Sequence, residues 1–230
     1  MALTNHQAAL IAALKSEGSP SSALPVRTNC GTAIGYLMPL TVKRAADPCV
    51  IERICHWRDL HKGAFLTVVE PDPENTRRYL EEVSLSDPAR ILFLVVDLQE
   101  RLIGNIGFCN VDANGAELDN VVRGESVISP GFMRWVCTTA LDFAFAALGI
   151  SSIYLNVIAD NRRAIELYHG LGFAECGYRA LARQTIVGGY RLVEAEQGSS
   201  EATDLVLIRM ELQEPVFRQR NGSVVQSVKS

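Results

Sequence analysis

The segment from Ser129 to Phe173 constrains the fold of this chain more than any other stretch. Its first half carries apolar residues at helical spacing up to Leu148, and Gly149 follows as a helix stop. Ser129 can cap this helix, and Pro130 can take its first position, where a missing N–H costs nothing. The pattern predicts one long amphipathic helix.

The second half of the segment predicts a strand, a second helix and another strand. Residues 153–158 form a short β-branched run, which is typical of a buried strand. Asp160 and Asn161 can cap the next helix, and Gly172 can end it. A further strand begins near Phe173. This order of elements indicates an α/β chain.

Seven residues of the second helix and its end form a signature. They follow the pattern N-x-x-A-I-x-L-Y-x-x-x-G-F and are Asn161, Ala164, Ile165, Leu167, Tyr168, Gly172 and Phe173. Through this signature the chain resembles the GCN5-related N-acetyltransferase (GNAT) superfamily. The P-G-F-M sequence that opens the preceding helix is similar to the end of the pyrophosphate loop of that family. The resemblance covers roughly residues 37–212.

The resemblance implies a fold, a cofactor and a reaction. We expect an α/β (α+β) fold with a GNAT-like mixed, mostly antiparallel central sheet, in which two parallel strands splay apart, flanked by helices. The implied cofactor is acetyl-CoA (coenzyme A). The implied reaction is acetyl transfer to an amine by direct attack in a ternary complex, without an acyl-enzyme intermediate.

Three consecutive strands are predicted upstream of that segment, over residues 91–98, 102–111 and 116–122. Alternation along the third strand places Glu117, Asp119 and Val121 on one face and Leu118, Asn120 and Val122 on the other. The other expected elements are a first sheet strand over 36–42, helices from Asp47 and from Glu74, and later strands over 178–186 and 204–212.

We expect three parts along the chain. Residues 1–34 would form an N-terminal helical extension and linker, in which packing of the helix on the domain is favoured over contact with a partner subunit or mobility. Residues 35–213 would form the acetyltransferase domain. Residues 214–230, which are polar and basic, would form a flexible C-terminal tail.

The net charge and the cysteine content limit the binding partners and the cellular locations that can be expected. The net charge of -4 and the isoelectric point near 5.6 argue against non-specific nucleic-acid binding. No apolar run is long enough to cross a bilayer, and the N-terminus does not resemble a signal peptide. The six cysteines are scattered, which favours free thiols in a reducing cytoplasm and indicates no metal site. We expect a cytoplasmic protein with a small-molecule partner, and a homodimer is one option.

Cofactor binding is expected where the long helix begins. Backbone N–H groups and the helix dipole favour an anion there, and Gly131 lets the chain approach a pyrophosphate closely. By resemblance, residues 126–128 also offer a backbone N–H that polarises the thioester carbonyl. The loop departs from the family pattern Q/R-x-x-G-x-G/A at Ile128 and Met133. The expected cofactor-binding residues are Ser126, Val127, Ile128, Gly131, Phe132, Met133, Arg134 and Asn161.

Three side chains are candidates for proton transfer. Tyr168 is expected to protonate the leaving thiolate, because a phenol with an ordinary pKa of about 10 is protonated at neutral pH. Glu117, Asp119 or a water held by one of them can take the proton of the acceptor amine. Asp119 can equally bind the ammonium group of the acceptor. The alternative for Tyr168 is a structural role in the core. The alternative for Glu117 and Asp119 is that both are surface carboxylates without a catalytic role.

The acceptor pocket is expected in the segment after the first sheet strand. Trp57 is interpreted chiefly as a core anchor, with substrate binding as the alternative. Arg58 can grip a phosphate or carboxylate bidentately, unless it is a solvated surface arginine. The W-R pair and the aromatic segment behind it resemble family members that acetylate nucleotide-linked amino sugars or the N-termini of ribosomal proteins.

These observations predict an acetyl-CoA-dependent N-acetyltransferase that acts on a primary amine of a small molecule, for example a nucleotide-linked amino sugar. Acetylation of a protein N-terminal amine, as in the ribosomal-protein type, is the second enzymatic hypothesis. The third hypothesis is a degenerate family member that acts as a CoA-binding, regulatory or structural module.

Overall fold

A computed structural model of the chain describes residues 2–16, 23–125, 130–195 and 202–225. Within these residues, ten strands form one sheet in the order β1-β2-β4-β5-β6-β7-β10-β8-β9-β3. All neighbouring strands are antiparallel except β6 and β7, which are parallel. The strands are β1 Leu24–Arg27, β2 Ala33–Pro39, β3 Thr67–Val69, β4 Ile91–Asp97, β5 Leu102–Cys109, β6 Gly115–Arg123, β7 Ser152–Ile158, β8 Ala174–Ile186, β9 Gly189–Glu194 and β10 Ala202–Gln213. The predicted mixed, mostly antiparallel sheet is confirmed.

Several of the described helices begin at side chains that cap them. Asp47 caps α3, and Asn161 caps α6 by accepting a 3.3 Å hydrogen bond from the backbone N–H of Ala164. No described helix combines the length and the apolar character needed to cross a membrane. The helices are α1 Asn5–Lys15, α2 Val42–Ala45, α3 Pro48–Leu60, α4 Pro73–Arg78, α5 Phe132–Ala147, α6 Arg162–Leu171 and α7 Glu214–Val225, with a 3₁₀ turn over Lys62–Ala64 and a π-helical stretch over Tyr79–Leu85.

The sheet carries a layer of helices on each face. Residues of α1, α5, α6 and α7 pack with one face of the sheet in the larger core. Residues of α2, α3 and the π-helical stretch cover part of the other face. The strand β4 is buried on both sides, because Phe93 contributes to the larger core while Leu92 and Leu94 contribute to the smaller one. This explains why its sequence is a continuous apolar run.

The N-terminal extension belongs to the same fold. Thr4 caps α1 in a capping box with Gln7, and Ile11 and Leu14 of this helix enter the larger core. The helix therefore packs on the domain, as favoured. The first strand is β1, which pairs with β2 and buries Val26 completely, so the expected start of the sheet at residue 36 is wrong. The sequence prediction missed β1 because only one of its four residues is buried.

The C-terminal segment also differs from the expected flexible tail. Glu214–Val225 forms α7, and Phe217 is fully buried with its ring 5.3 Å from that of Phe145. Arg218 bonds to the carboxylates of Asp142 and Glu214. The buried ring of Phe217 therefore holds α7 against the domain, although the polar composition of this segment favoured a flexible tail.

Candidate active site

The parallel strands β6 and β7 separate in the middle of the sheet. Their ladder begins at Gly115 and Ser152 and ends at Glu117 and Tyr154. Both strands continue beyond these residues, but no further pairs join them. A gap therefore opens between them, and this is the splay that the resemblance implied.

A bulge in β6 lies beside this gap. Asn120 has a φ of 53°, and the register between β5 and β6 shifts at this point. The side chain of Asn105 supports the bulge by donating a 2.7 Å hydrogen bond to the backbone oxygen of Asn120. The expected alternation is therefore wrong past Asp119, because Val121 packs against the larger core and Val122 belongs to the smaller one.

Asp119 is neutralised within the protein. Its Oδ2 accepts a 2.8 Å hydrogen bond from Nη1 of Arg90, whose side chain is largely buried. The same oxygen accepts a 2.8 Å bond from Nδ2 of Asn120, which also donates to the hydroxyl of Tyr79 at 2.8 Å. Tyr79 is the first residue of the π-helical stretch. This backbone conformation is rare, and where it occurs it often lies at a functional site. These four side chains form a network at the edge of the gap.

Glu117 has neutral partners instead. Its Oε2 accepts from Nδ2 of Asn110 at 2.9 Å, and its Oε1 accepts from Nδ2 of Asn156 at 2.8 Å. The guanidinium of Arg209 lies 3.9 Å from the centre of the Tyr154 ring in the same region. Burial, and next the charge of Glu117, raise the pKa of Tyr154 above its usual value. The negative charge of Glu117 is therefore left without a cation in direct contact among the described residues.

Tyr168 points into the larger core from α6. Its ring packs edge-on against Phe173 with the ring centres 5.8 Å apart, and its hydroxyl has no hydrogen-bond partner in the described parts of the chain. Burial raises the pKa of Tyr168 well above its usual value, and the nearby Cys137 and Asp119 raise it further. A protonated phenol is therefore held near the network around Asp119.

The helix α5 begins two residues later than predicted. Gly131 precedes it in the left-handed conformation with a φ of 82°, so a glycine is required here for its backbone angle. The first hydrogen bond of the helix runs from the N–H of Arg134 to the oxygen of Gly131. The N–H groups of Phe132 and Met133 precede this bond and have no partner among the described residues, so they are available to an anion. A cleft of about 1470 Å³ adjoins the helix start.

Of the other predicted cofactor-binding residues, Arg134 and Asn161 lie within the described parts of the chain and three lie outside them. Nη1 of Arg134 donates a 2.8 Å hydrogen bond to the oxygen of Gly170, so this arginine ties α5 to the end of α6. Asn161 caps α6, which is compatible with a cofactor contact. Ser126, Val127 and Ile128, and the predicted cap Ser129, lie outside the described residues. Their roles stay predictions.

Trp57 and Arg58 occupy different environments. Trp57 is 1% exposed, and a Cβ atom on Gly124 would come within 2.0 Å of its ring. This placement fits the core-anchor interpretation. Arg58 is half-buried, and its guanidinium lies 4.5 Å from the ring centre of Phe65 and 5.8 Å from that of Tyr79.

No sequence motif pointed to Tyr79, Arg90 or the asparagines around the carboxylates. One signal was available, because asparagine is rare in strands and this chain places several in or beside central strands. These asparagines are Asn105, Asn110, Asn120 and Asn156. Among the described residues, no group of three His, Cys, Asp or Glu side chains is placed to hold a metal ion.

The architecture is a mixed sheet in which the parallel strands β6 and β7 separate. Helix α5 follows β6 in the chain, and helix α6, which carries the buried Tyr168, follows β7. This is the GNAT-type class of fold. The sequence model of the Acetyltransferase (GNAT) family matches residues 54–173, which is more than half of the chain. The chain belongs to this family.

Known relatives include polyamine acetyltransferases. Spermidine N(1)-acetyltransferase of Vibrio cholerae serotype O1 is 32% identical over 112 residues, which span 46% of this chain and 64% of the relative. The chain thus matches slightly less than two thirds of that protein.

Solved structures support the fold. Mutant forms of the spermidine/spermine N-acetyltransferase SpeG from Vibrio cholerae superpose with a TM-score of 0.57 at 22% identity, over 80% of this chain and 96% of that chain. The Vibrio cholerae enzyme in complex with CoA and spermine gives a TM-score of 0.57 at 22% identity, over 74% and 94% of the two chains.

Proposed function

We propose that this protein is an acetyl-CoA-dependent N-acetyltransferase that acetylates a primary amine of a small molecule. The observation that carries the proposal is the gap between β6 and β7, combined with the N-terminus of α5, which follows β6 in the chain, and the buried Tyr168 on the helix after β7. Membership of the acetyltransferase family supports it. The polyamine relatives support a small-molecule amine as the acceptor.

The start of α5 and the open edge of β6 fit coenzyme A. The N–H groups of Phe132 and Met133 would hold the pyrophosphate, and the backbone of β6 beyond its ladder with β7 would hold the pantetheine arm. When bound, acetyl-CoA supplies the activated acetyl thioester. Tyr168 holds a proton for the leaving thiolate sulfur.

Glu117 is the preferred proton acceptor for the incoming amine. Its partners are neutral amides, so its charge remains available to an ammonium group. Oδ1 of Asn156 is buried and has no partner among the described residues, so it can accept a hydrogen bond from the amine. Asp119, which is bound to Arg90, orders the edge of the gap.

The cysteines near the site support direct attack by the amine in a ternary complex. Burial raises the pKa of Cys137 to about 12. Burial, and next the charges of Asp119 and Glu117, raise the pKa of Cys109. Neither thiol is ionised at neutral pH, so neither is activated to form an acyl-enzyme.

The test is release of free thiol from acetyl-CoA in the presence of a panel of primary amines. The panel contains polyamines, amino acids, amino sugars, nucleotide-linked amino sugars and short peptides. We expect release with a small-molecule amine and almost none in Tyr168→Phe. Absence of both thiol release and CoA binding in calorimetry would overturn the proposal.

A further inference from the structure

The charged side chains around the gap, where we expect the acceptor to bind, differ in whether they have a partner of opposite charge. The charge of Asp119 is compensated by Arg90, and Glu117 binds two amides. Arg58 and Arg209 lie against aromatic rings, and neither forms an ion pair with any described residue. The excess charge among these groups is therefore positive.

Arg58 is held by its neighbours and has no counter-ion among the described residues. Its guanidinium contacts the rings of Phe65 and Tyr79, and its Nη2 makes one long contact of 3.5 Å with the backbone oxygen of Thr67. These ring contacts restrain the guanidinium, and most of its N–H donors have no partner among the described residues. A half-buried guanidinium in this state favours an anion, because water solvates it only in part.

Tyr79 connects Arg58 to the edge of the gap. The ring of this tyrosine contacts Arg58, and its hydroxyl accepts the hydrogen bond from Asn120 in the bulge of β6. Arg58 is therefore one tyrosine side chain away from the strand that borders the gap. An acceptor whose amine lies beside Glu117 can extend its far end toward this guanidinium.

We propose that Arg58 binds an anionic group of the acceptor, so that the substrate is a primary amine that also carries a phosphate or a carboxylate. This inference rests on the proposed function and departs from the polyamine acceptors of the relatives. A polyamine would bring further positive charge next to Arg58 and Arg209, and this is unfavourable in a partly buried site. A nucleotide-linked amino sugar has the required chemistry.

The test compares acceptors that differ in charge. Thiol release is measured with a nucleotide-linked amino sugar, the matching free amino sugar, amino acids and spermidine, in the wild type and in Arg58→Gln. For the anionic acceptor we expect Arg58→Gln to raise KM by about 10–100-fold with little change in kcat, as for loss of a charge-assisted bidentate contact. The free amino sugar should be used poorly and equally by both proteins.

Two further variants separate recognition from folding. Arg58→Lys keeps the charge but loses the planar fork, so it should restore part of the affinity for the anionic acceptor. Arg78→Gln, on the exposed surface of α4, is the matched control and should change nothing. Thermal unfolding of each variant checks that the fold is intact.

The phosphate and carboxylate arms of the panel identify which anion is recognised. Preference for spermidine, unchanged in Arg58→Gln, would overturn this inference and leave the proposed function standing. If no amine releases thiol and CoA does not bind in calorimetry, the proposed function fails. Calorimetric binding of the anionic amine to the wild type and to Arg58→Gln then decides the inference by itself, and equal affinities would overturn it.

Discussion

Glu117 and Asp119 lie two residues apart on β6, one where the strand is still paired with β7 and the other where the two strands have separated. Glu117 receives a hydrogen bond across this pair from Asn156. Asp119 instead takes a guanidinium, that of Arg90, from the segment before β4. The paired region therefore leaves a carboxylate with only amide partners among the described residues, whereas the separated region uses one in an ion pair that orders its edge. This difference distinguishes two candidates that the sequence left equivalent.

The largest expected effect concerns the proton donor at the separated region. Tyr168→Phe should lower kcat by roughly 10²–10⁴-fold, because it removes the proton for the leaving thiolate and little volume. Tyr154→Phe, in the paired region, should lower kcat by less than about 10-fold. Steady-state kinetics of both variants measure this contrast, and equal losses would refute the division of roles.

The next effect separates the two carboxylates by activity. Glu117→Gln should lower kcat by about 10²-fold, since it removes the group that accepts the proton of the amine. Asp119→Asn should keep most of the activity, because an amide oxygen can still accept a hydrogen bond from Arg90. The reverse order of the two kcat values would assign the base to Asp119.

Stability should respond in the opposite order. Asp119→Asn and Arg90→Gln should each lower the free energy of unfolding by about 1–3 kcal/mol, because each leaves a charged partner without its counter-ion. Glu117→Gln should cost less than about 1 kcal/mol. Urea denaturation of both single variants and the double variant measures the coupling. Additive effects would mean that the ion pair contributes nothing.

A smaller effect is expected where the π-helical stretch meets the bulge. Tyr79→Phe removes the hydroxyl that accepts from Asn120 and should lower the free energy of unfolding by about 0.5–1.5 kcal/mol. The more exposed Tyr36 offers the control Tyr36→Phe, with a change of at most about 0.5 kcal/mol. Similar values for both would indicate that the contact does not stabilise the bulge.

The smallest effect is a change in tyrosine titration. The charge of Glu117 helps to raise the pKa of Tyr154, and that of Asp119 helps to raise the pKa of Tyr168. Glu117→Gln should therefore lower the pKa of Tyr154 alone, and Asp119→Asn should lower that of Tyr168 alone. Tyrosinate absorbance in alkaline solution follows the more exposed Tyr154, and Tyr154→Phe identifies its signal. A shift of the same tyrosine in both variants would contradict the division.

The sequence predicted the parts of the fold that depend on local pattern. Asn161 and Gly172 mark the ends of α6, and both have the expected roles as caps. The final strand and the hairpin of β4 and β5 lie within a few residues of their predicted bounds. Tyr168 was identified through its signature. Each of these features is encoded within a short stretch.

The remaining features depend on contacts between distant segments. The bulge at Asn120 follows from the register between β5 and β6, which no periodicity within β6 reveals. Arg90 lies 29 residues before Asp119, so its role emerges only when the strands are aligned. The burial of Phe217 likewise depends on the surface of α5 against which it packs. Tertiary packing fixed these details.

The position of β10 has a consequence for how the chain is synthesised. β10 is the last strand in the sequence, yet it lies between β7 and β8 and pairs with both. While the chain emerges from the ribosome, β7 and β8 each present an unpaired edge until this strand arrives. The centre of the sheet is therefore completed after its N-terminal edge. Removal of the residues from β10 onward would leave β7 and β8 without a partner in the middle of the sheet. Each would then expose an unpaired edge, and exposed edges promote aggregation.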